Sequence, residues 1–269
     1  MKTFFYGIVL FCVATMAQAT GPRVTSALLT PAVNEIFALD FPAVLSSELA
    51  DGGIAAALIT AAFKAEQVES TLTVLPLKTM LAYYLNEENA LGIAGYDLDL
   101  SAAELKNLII VPVVSLKESY FYYRPKYETL TWTGNLADFK NFTIGVNKGE
   151  SLTAYQKAGI KIEQDRLDAR IKALIAGKID VLRESDLTMK MALAKNFSDQ
   201  QSAIVRLEPS TEDAIISVVF NKKNPKGAAL AKQFQSGLTK LIASGQYNDI
   251  IKAHIGDLAM ESYFVPVHR

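Results

Sequence analysis

The residues with the clearest potential for chemistry lie around a glycine turn near the middle of the chain. The stretch Phe142-Thr-Ile-Gly-Val-Asn-Lys-Gly-Glu-Ser151 predicts a buried strand, a sharp turn at Gly149 and the start of a helix. Glycine permits the turn, and Ser151 can cap a helix whose free N–H groups point outward. Such a corner can bind an anion without catalysing a reaction.

Glu150, beside this turn, has two interpretations. As a structural residue it is an acid near a helix N-terminus, which stabilises the helix by roughly 0.3 to 1 kcal/mol. As a functional residue it faces a cleft and meets a ligand amine, which would exclude simple anions. Ser151 is likewise either a cap or a ligand contact, since the backbone N–H groups beside it can do both.

The sequence contains few signals of an enzyme. The two histidines, His254 and His268, are too far apart and too close to the chain end to form a metal pair or a proton-transfer dyad. It contains neither the Gly-x-Ser-x-Gly pattern nor a phosphate-binding Gly-x-x-x-x-Gly-Lys loop. We therefore expect a binding protein with no metal, no cofactor and no catalytic residue.

The first residues predict export. Lys2 precedes an apolar run from Phe4 to Val13, and Ala17-Gln-Ala19 is a typical cleavage pattern, so residues 1–19 are interpreted as a cleaved signal peptide. An uncleaved anchor is the alternative. Cys12, the only cysteine, lies in this segment, so the mature chain should contain no disulfide and no thiolate metal site. The predicted location is the periplasm.

Composition limits the partners of the chain. Half of the residues are hydrophobic, which is ample for one large domain or two smaller lobes. The 27 basic and 28 acidic residues nearly balance, so neither nucleic acid nor an anionic membrane surface is an expected partner.

Strand-like and helix-like periods alternate along the chain, which is typical of the α/β class. Buried strands are predicted at Asn34–Asp40, Ser70–Leu75, Ala90–Ala94, Leu108–Val114 and Ala214–Phe220. Helical stripes are predicted at Ile54, Leu58, Ile59 and Phe63, from Pro76 to Leu85, at Leu167, Ile171, Leu174 and Ile175, and at Leu230, Phe234, Leu238, Leu241 and Ile242.

Smaller features complete this outline. Asn224-Pro225 predicts a helix start, Gly245 predicts its end, and the residues after Gly256 are interpreted as a tail. The run Tyr120–Arg124, which follows the apolar strand Leu108–Val114, is interpreted as a passage between lobes. Alternation predicts Tyr120 and Tyr122 on one face and Phe121 and Tyr123 on the other.

Four short motifs together resemble a known family. They are Asp51-Gly52-Gly53, Leu136-Ala-Asp138-Phe139 before the turn at Gly149, Ala176-Gly177-Lys-Ile-Asp180, and Ser244-Gly245-Gln-Tyr247-Asn-Asp-Ile250. Their order and spacing, after a signal peptide, resemble the bacterial extracellular solute-binding proteins of family 3, over almost the whole mature chain. These proteins have the type II periplasmic-binding-protein fold.

The resemblance implies two α/β lobes, each a mostly parallel sheet flanked by helices, joined by two crossing strands. Residues 20–119 and 217–269 would form lobe 1, and residues 120–216 would form lobe 2. A small polar solute, an amino acid or a related amine, would bind in the cleft as the lobes close by a hinge. The implied partner is an inner-membrane permease of an ABC importer, and a monomer is expected.

Family positions carried over to this chain show departures. The arginine that clamps a ligand carboxylate in amino-acid-binding members falls on Glu104, and an alignment shift of two residues would bring Lys106 there. The family aspartate that holds the ligand amine falls on Ser185, flanked by Glu184 and Asp186. Asp186 is the candidate for that role, and a solvated surface charge is its alternative.

The other ligand candidates are aromatic or cationic. Phe41 could stack on a ligand or plug the core, while Tyr96 follows a strand end and is better placed for the cleft. Tyr120 and Arg124 could line the hinge, although a hinge salt bridge is an alternative for Arg124. With Gly149, Glu150, Ser151, Ser185 and Asp186 they form the predicted ligand site.

Two other functions stay open. Because the carboxylate clamp is missing, the chain could be a periplasmic sensor with a degenerate cleft. A cyclohexadienyl-dehydratase-like enzyme is the less favoured alternative, and it would need a cleft acid of raised pKa, for which Glu104, Glu150 and Asp186 are the nominees.

Overall fold

The computed structural model describes residues 34–41, 44–49, 51–75, 92–95, 106–148, 150–265 and 267, with 92–95 described for the backbone alone. Several predictions fall outside these ranges. They are the signal peptide, the helix after Pro76, and the residues Tyr96, Glu104, Gly149 and His268.

Strands and helices alternate through the described chain, which confirms the α/β class. The strands are β1 (Glu35–Leu39), β2 (Thr71–Leu75), β3 (Gly92–Gly95), β4 (Leu108–Leu116), β5 (Glu118–Tyr123), β6 (Thr143–Asn147), β7 (Lys161–Asp165), β8 (Val181–Ser185), β9 (Ile204–Arg206), β10 (Ala214–Asn221) and β11 (Phe264–Val265). The helices are α1 (Ile54–Ala65), α2 (Thr153–Ala158), α3 (Leu167–Ile175), α4 (Asp186–Asn196), α5 (Pro225–Ser244), α6 (Gln246–Ile255) and α7 (Met260–Tyr263), with a 3₁₀ helix at Leu136–Phe139.

The first sheet has the strand order β11-β4-β10-β3-β1-β2. Its β2, β1 and β3 strands are parallel, while β10 is antiparallel to both β3 and β4. Each strand predicted from an apolar run is present here, with bounds that differ by at most a few residues. Helices α1, α5 and α6 pack together beside it and bury one continuous apolar core.

Close contact between α1 and α5 depends on a glycine. A Cβ at Gly237 would lie 1.9 Å from the carbonyl oxygen of Ala62, so any side chain there would force the helices apart. The Phe63 and Phe234 rings lie 4.8 Å apart between their centroids. Both predicted stripes are confirmed except at Ile242, which is exposed because it lies about 100° around the helix from Leu241.

The predicted ends of α5 are confirmed. The Asn224 side chain accepts a hydrogen bond from the Lys226 N–H at 2.9 Å, and Pro225 is the first helical residue. Gly245 ends the helix in the left-handed region, with φ of 83°.

The second sheet has the order β7-β6-β8-β5-β9, with β7, β6 and β8 parallel and β5 antiparallel to both β8 and β9. Apolar clusters cover both faces. Tyr120 and Tyr122 belong to one cluster and Phe121 and Tyr123 to the other, as alternation predicts. In the first of these clusters, the Trp132 ring stacks on the Phe139 ring with 4.9 Å between their centroids, so Trp132 is a packing residue.

The chain passes directly from β4 to β5 through Lys117 and returns by β10, which joins the two sheets. The prediction of a tail after Gly256 is wrong. Helix α7 leads to β11, which pairs with β4 so that Phe264 is opposite Leu116. Burial of Phe264 and a 2.7 Å hydrogen bond from Lys117 Nζ to the Glu261 carbonyl hold this segment in place.

Candidate functional site

Polar side chains collect at one edge of the second sheet. Strands β6 and β8 are parallel and end there, while β5 begins there because Glu118 pairs with Ser185 in antiparallel register. The loop with Glu150 follows β6, and α4 follows β8 at once. Loops after the carboxyl ends of parallel strands are where open α/β sheets bind ligands. We call this region the carboxyl edge.

Arg183 of β8 contacts two carboxylates at the carboxyl edge, one from Glu118 and one from Glu150. Glu118 is only 2% exposed. The side chain of Arg183 is 21% exposed, so this cluster reaches solvent through its guanidinium. One cation is thus shared by two acids.

Burial raises the pKa of Glu118 to about 8, and the neighbouring Glu184 and Glu150 add to the rise while Arg183 opposes it. The Glu150 carboxylate accepts hydrogen bonds from the Tyr155 hydroxyl at 3.3 Å and from the Asn147 N–H at 3.2 Å. Burial therefore favours the protonated form of the Glu118 carboxyl group, beside the ion pair of Arg183 and Glu150.

Arg170 and Glu184 form a second ion pair at this edge, on the α3 side of the sheet. Their atoms lie 2.7 Å apart and each side chain is 2% exposed. Arg170 Nη1 also donates to the Arg183 carbonyl at 2.8 Å, and Asn147 joins the pair through its side chain. Gly145 leaves room for this packing, since a Cβ there would lie 2.5 Å from Ile179 and 3.6 Å from Arg170.

Ser185 and Asp186 are both buried where α4 begins. The Ser185 hydroxyl oxygen accepts the Thr188 N–H at 3.1 Å, so it caps the helix. Asp186 lies 3.0 Å from Arg206 Nε, and its Oδ1 atom has no hydrogen-bond partner among the described residues. Burial raises the pKa of Asp186, against the opposing effects of the Ser119 hydroxyl and Arg206. Asp186 is therefore not a solvated surface charge.

Ser151 lies next to the same edge, one residue before the N-cap of α2. Its hydroxyl accepts the Thr153 N–H at 3.4 Å, and the helix itself has only six residues. At this corner the Glu150 carboxylate accepts a hydrogen bond from the N–H of Asn147, the last residue of β6.

The structure does not bring the other described candidates to the carboxyl edge. Phe41 is buried in the apolar core of the first sheet. Tyr120 packs edge-on against Trp132 and reaches the edge only through its hydroxyl, 3.4 Å from that of Tyr155. Arg124 is exposed just beyond the other end of β5, about 20 Å from Glu118 at the usual rise per residue of a strand.

Glu118, Arg170 and Arg183 are the residues that the sequence analysis missed. A signal exists for Arg183, because Val181-Leu-Arg-Glu-Ser185 places adjacent charges inside a strand that is covered on both faces. Charged residues in such strands are rarely buried unless they are paired. Glu118 and Arg170 lack a comparable local pattern.

The described ranges contain no cluster of three histidine, cysteine, aspartate or glutamate residues that could hold a metal ion. Within the same ranges, no helix combines the length and the apolar character that crossing a membrane requires.

Neither a protein-family model nor a curated protein matches the sequence, whereas solved structures do. The ligand-binding core of GluR0 from Nostoc punctiforme, solved with L-glutamate, matches with a TM-score of 0.64 at 13% identity, covering 82% of this chain and 98% of that one. A histidine kinase sensor domain with similarity to periplasmic binding proteins matches with a TM-score of 0.66 at 14% identity, covering 84% and 97%.

The amino acid ABC transporter substrate-binding protein AbpA from Streptococcus pneumoniae, bound to L-arginine, matches with a TM-score of 0.62 at 16% identity, covering 82% of this chain and 94% of that one. At these identities the similarity is one of fold. The two helix-flanked sheets, joined by β4–β5 and by the return to β10, agree with it. The protein therefore has the type II periplasmic-binding-protein fold.

Proposed function

We propose that this chain is a periplasmic solute-binding protein that captures a small polar solute, an amino acid or a related amine, without catalysis. Residues 20–119 and 217–269 form one lobe and residues 120–216 the other, with the bounds inside the crossing strands β5 and β10, and the solute binds in the cleft as a hinge closes. The protein delivers the solute to the permease of an ABC importer. It acts as a monomer after cleavage of residues 1–19.

The acidic character of the carboxyl edge is the observation that carries this proposal. Glu118 and Glu150 share one guanidinium there, and Asp186 keeps an oxygen without a hydrogen-bond partner among the described residues. Burying acids costs free energy, and such groups cluster at functional sites. A solute with an amine supplies the charge and the donors that this edge can accept.

The solved structures of similar fold support the solute class. Two of those described above are bound to L-glutamate or L-arginine, and another match is an ancestral arginine-binding protein bound to arginine. Glu150 and Asp186 are the contacts that we propose for the amine. Tyr96 and Gly149, from the sequence analysis, stay in the proposed site with Ser151, whereas Ser185 is proposed only as the cap of the following helix.

A sensor that serves a signalling partner is the second candidate. One of the similar structures, the histidine kinase sensor domain with a TM-score of 0.66, favours this candidate. Deleting the gene distinguishes the two functions. Loss of solute uptake supports the importer, whereas unchanged uptake with an altered transcriptional response to the solute supports the sensor.

A thermal-shift screen of the mature protein tests solute capture. The panel contains amino acids, polyamines, sugars and small carboxylates. A ligand at 100 times its dissociation constant stabilises the folded state by about 2.7 kcal/mol, so at least one amine should raise the melting temperature clearly. No shift with any class would contradict the proposal.

Two substitutions then test the placement of the site. Asp186→Ala and Tyr96→Ala should each weaken the binding of a solute found in the screen, while Glu163→Gln, on the exposed edge strand β7, should not. Unchanged affinity in both Asp186→Ala and Tyr96→Ala would show that the site lies elsewhere. N-terminal sequencing of the periplasmic fraction should find Thr20 first, and an intact Met1 would contradict export by cleavage.

A further inference from the structure

Of the three arginines described at the carboxyl edge, two have one buried acid each, and the third has two. Arg170 pairs with Glu184. Arg206 pairs with Asp186 and also meets Glu208, whose side chain is 69% exposed and is solvated by water. The remaining arginine, Arg183, contacts two acids.

Those two acids are Glu118 and Glu150, and among the described residues they have no second cation between them. Lys117 is close in sequence, but its Nζ donates to the Glu261 carbonyl on the side of the first sheet. The Glu118–Arg183–Glu150 cluster therefore holds one more acid than base.

The surroundings of Glu118 make this shortage costly. Its Oε2 atom forms an ion pair with Arg183 Nη2, and the same guanidinium also pairs with Glu150. The ionisable groups near it on other elements are Glu184 on β8, Glu150 after β6 and Arg170 on α3, and Tyr120 is near it on the same strand. The Tyr155 hydroxyl bonds Glu150. A buried carboxylate with so little compensation takes up a proton, as its pKa of about 8 indicates.

Glu150 and Arg183 are the members of the cluster nearest solvent. Glu150 follows the end of β6, and Arg183 is the only one of the three that is more than one-tenth exposed. A cation that arrives beside Glu150 can pair with its carboxylate. Arg183 then pairs with Glu118 alone, so that each of the two acids has its own cation.

We propose that the Glu118–Arg183–Glu150 cluster is the cation subsite of the cleft, in which a solute ammonium or guanidinium group replaces a proton on Glu118. The inference rests on the proposed solute-binding function. When the solute binds, the O–H bond of Glu118 breaks and its proton passes to water or buffer. One positive charge enters and one leaves, so the total charge of the cluster is unchanged.

Proton release makes binding depend on pH. Below the pKa of Glu118, the solute must displace the proton, so cation affinity increases as the pH rises towards about 8 and levels off above it. A neutral solute displaces no proton and should show no such dependence.

Isothermal titration calorimetry of the mature protein with L-arginine and with putrescine, in phosphate and in Tris at pH 7, measures the protons released. The expected result is close to one proton per cation bound. Glu118→Gln, which imitates the protonated carboxyl, should release none and bind the cations about tenfold more weakly or worse. Glu163→Gln, the same change at an exposed site on β7, should behave as the wild type.

Glu150→Gln is the second variant. Without the Glu150 charge, Arg183 pairs with Glu118 alone before any solute binds. This variant should therefore also release no proton, and its affinity for cations should fall. This keeps the test valid if Glu118→Gln folds poorly.

The outcomes separate this inference from solute capture. Equal cation affinity in wild type and Glu118→Gln, with no proton released, would overturn the cation subsite and leave solute capture in place. Binding of neutral or anionic solutes alone would do the same. Only the absence of binding in every solute class would overturn both.

Discussion

Around the first sheet, the buried polar side chains of the described residues are short and uncharged, namely Ser46, Ser115, Ser217, Asn221 and Asn224. Around the second sheet, they include four ionisable groups, Glu118, Arg170, Glu184 and Asp186. An apolar core gains stability from burial, whereas a buried charge costs free energy unless it is paired. The two halves are therefore stabilised differently. Apolar packing stabilises the first half, whereas the second half buries ionisable groups at its carboxyl edge at a cost in folding free energy.

The largest effect should come from breaking the buried pair of the second sheet. Arg170→Met keeps most of the side-chain volume but leaves Glu184 charged and buried, so we expect a loss of about 3–5 kcal/mol in the free energy of unfolding. Urea denaturation measures it. The control, Lys240→Met, removes an exposed partner of Glu66 and should change stability little. If Arg170→Met and Lys240→Met lost equally little free energy of unfolding, the buried pair would not have the energetic role that distinguishes the second sheet.

The pH dependence of stability should be the next largest effect. The pKa of Glu118 rises from its usual 4.5 to about 8 on folding, so the folded protein keeps a proton that the unfolded chain has lost. This contribution to stability is fully present below pH 4.5 and is lost as the pH rises towards 8, with a slope of at most about 1.4 kcal/mol per pH unit.

Urea unfolding at pH 5, 6 and 7 measures that slope in wild type and in Glu118→Gln. The stability of wild type relative to Glu118→Gln should fall steadily as the pH rises, because glutamine at this position does not titrate. A constant difference would mean that Glu118 does not titrate in this range.

In the half of the protein built on the first sheet, stability should be most sensitive to the size of a side chain. Gly237→Ala places a Cβ against the carbonyl oxygen of Ala62, and we expect overpacking to cost about 1–3 kcal/mol. Thermal unfolding at low and high salt should give the same loss, since no charge is involved. Gln233→Ala, at an exposed position on the same helix, is the control. If the loss of stability in Gly237→Ala depended on salt, packing alone would not explain the stability of the first half.

The smallest effect should be the same in both halves, because a helix cap is a local interaction. Ser185→Ala and Asn224→Ala each remove a side-chain cap and should each cost about 1 kcal/mol. Because the Ser185 hydroxyl is bonded to Thr188, its loss should leave solute affinity unchanged, which calorimetry measures. Weaker solute binding by Ser185→Ala would instead make Ser185 a ligand contact.

The parts of the fold that follow local rules were predictable. Asn224-Pro225 and Gly245 marked the ends of α5, and the apolar runs marked the strands of the first sheet. The C-terminal strand β11 was missed because two residues have no periodicity of their own. They pair with β4 through a tertiary contact.

The candidate site was predictable only in part. Glu150, Ser185 and Asp186 follow strand ends, a position that the sequence reveals, and the structure brings them to one edge. Their partners Arg183 and Arg206 come from other strands, and the register between strands decides which charges meet. Tyr96 and Gly149 lie outside the described residues.

By itself, the sequence determined the α/β class, the helix caps and the apolar faces, because each depends on residues a few positions apart. Only the tertiary structure decided which acids are buried and how many cations they share. Glu118 is the same residue type whether it faces water or Arg183, and its pKa depends on groups far along the chain, Glu150 and Glu184. Charge balance in a buried cluster is a property of the folded arrangement, since desolvation and Coulomb energies depend on distances that no local pattern records.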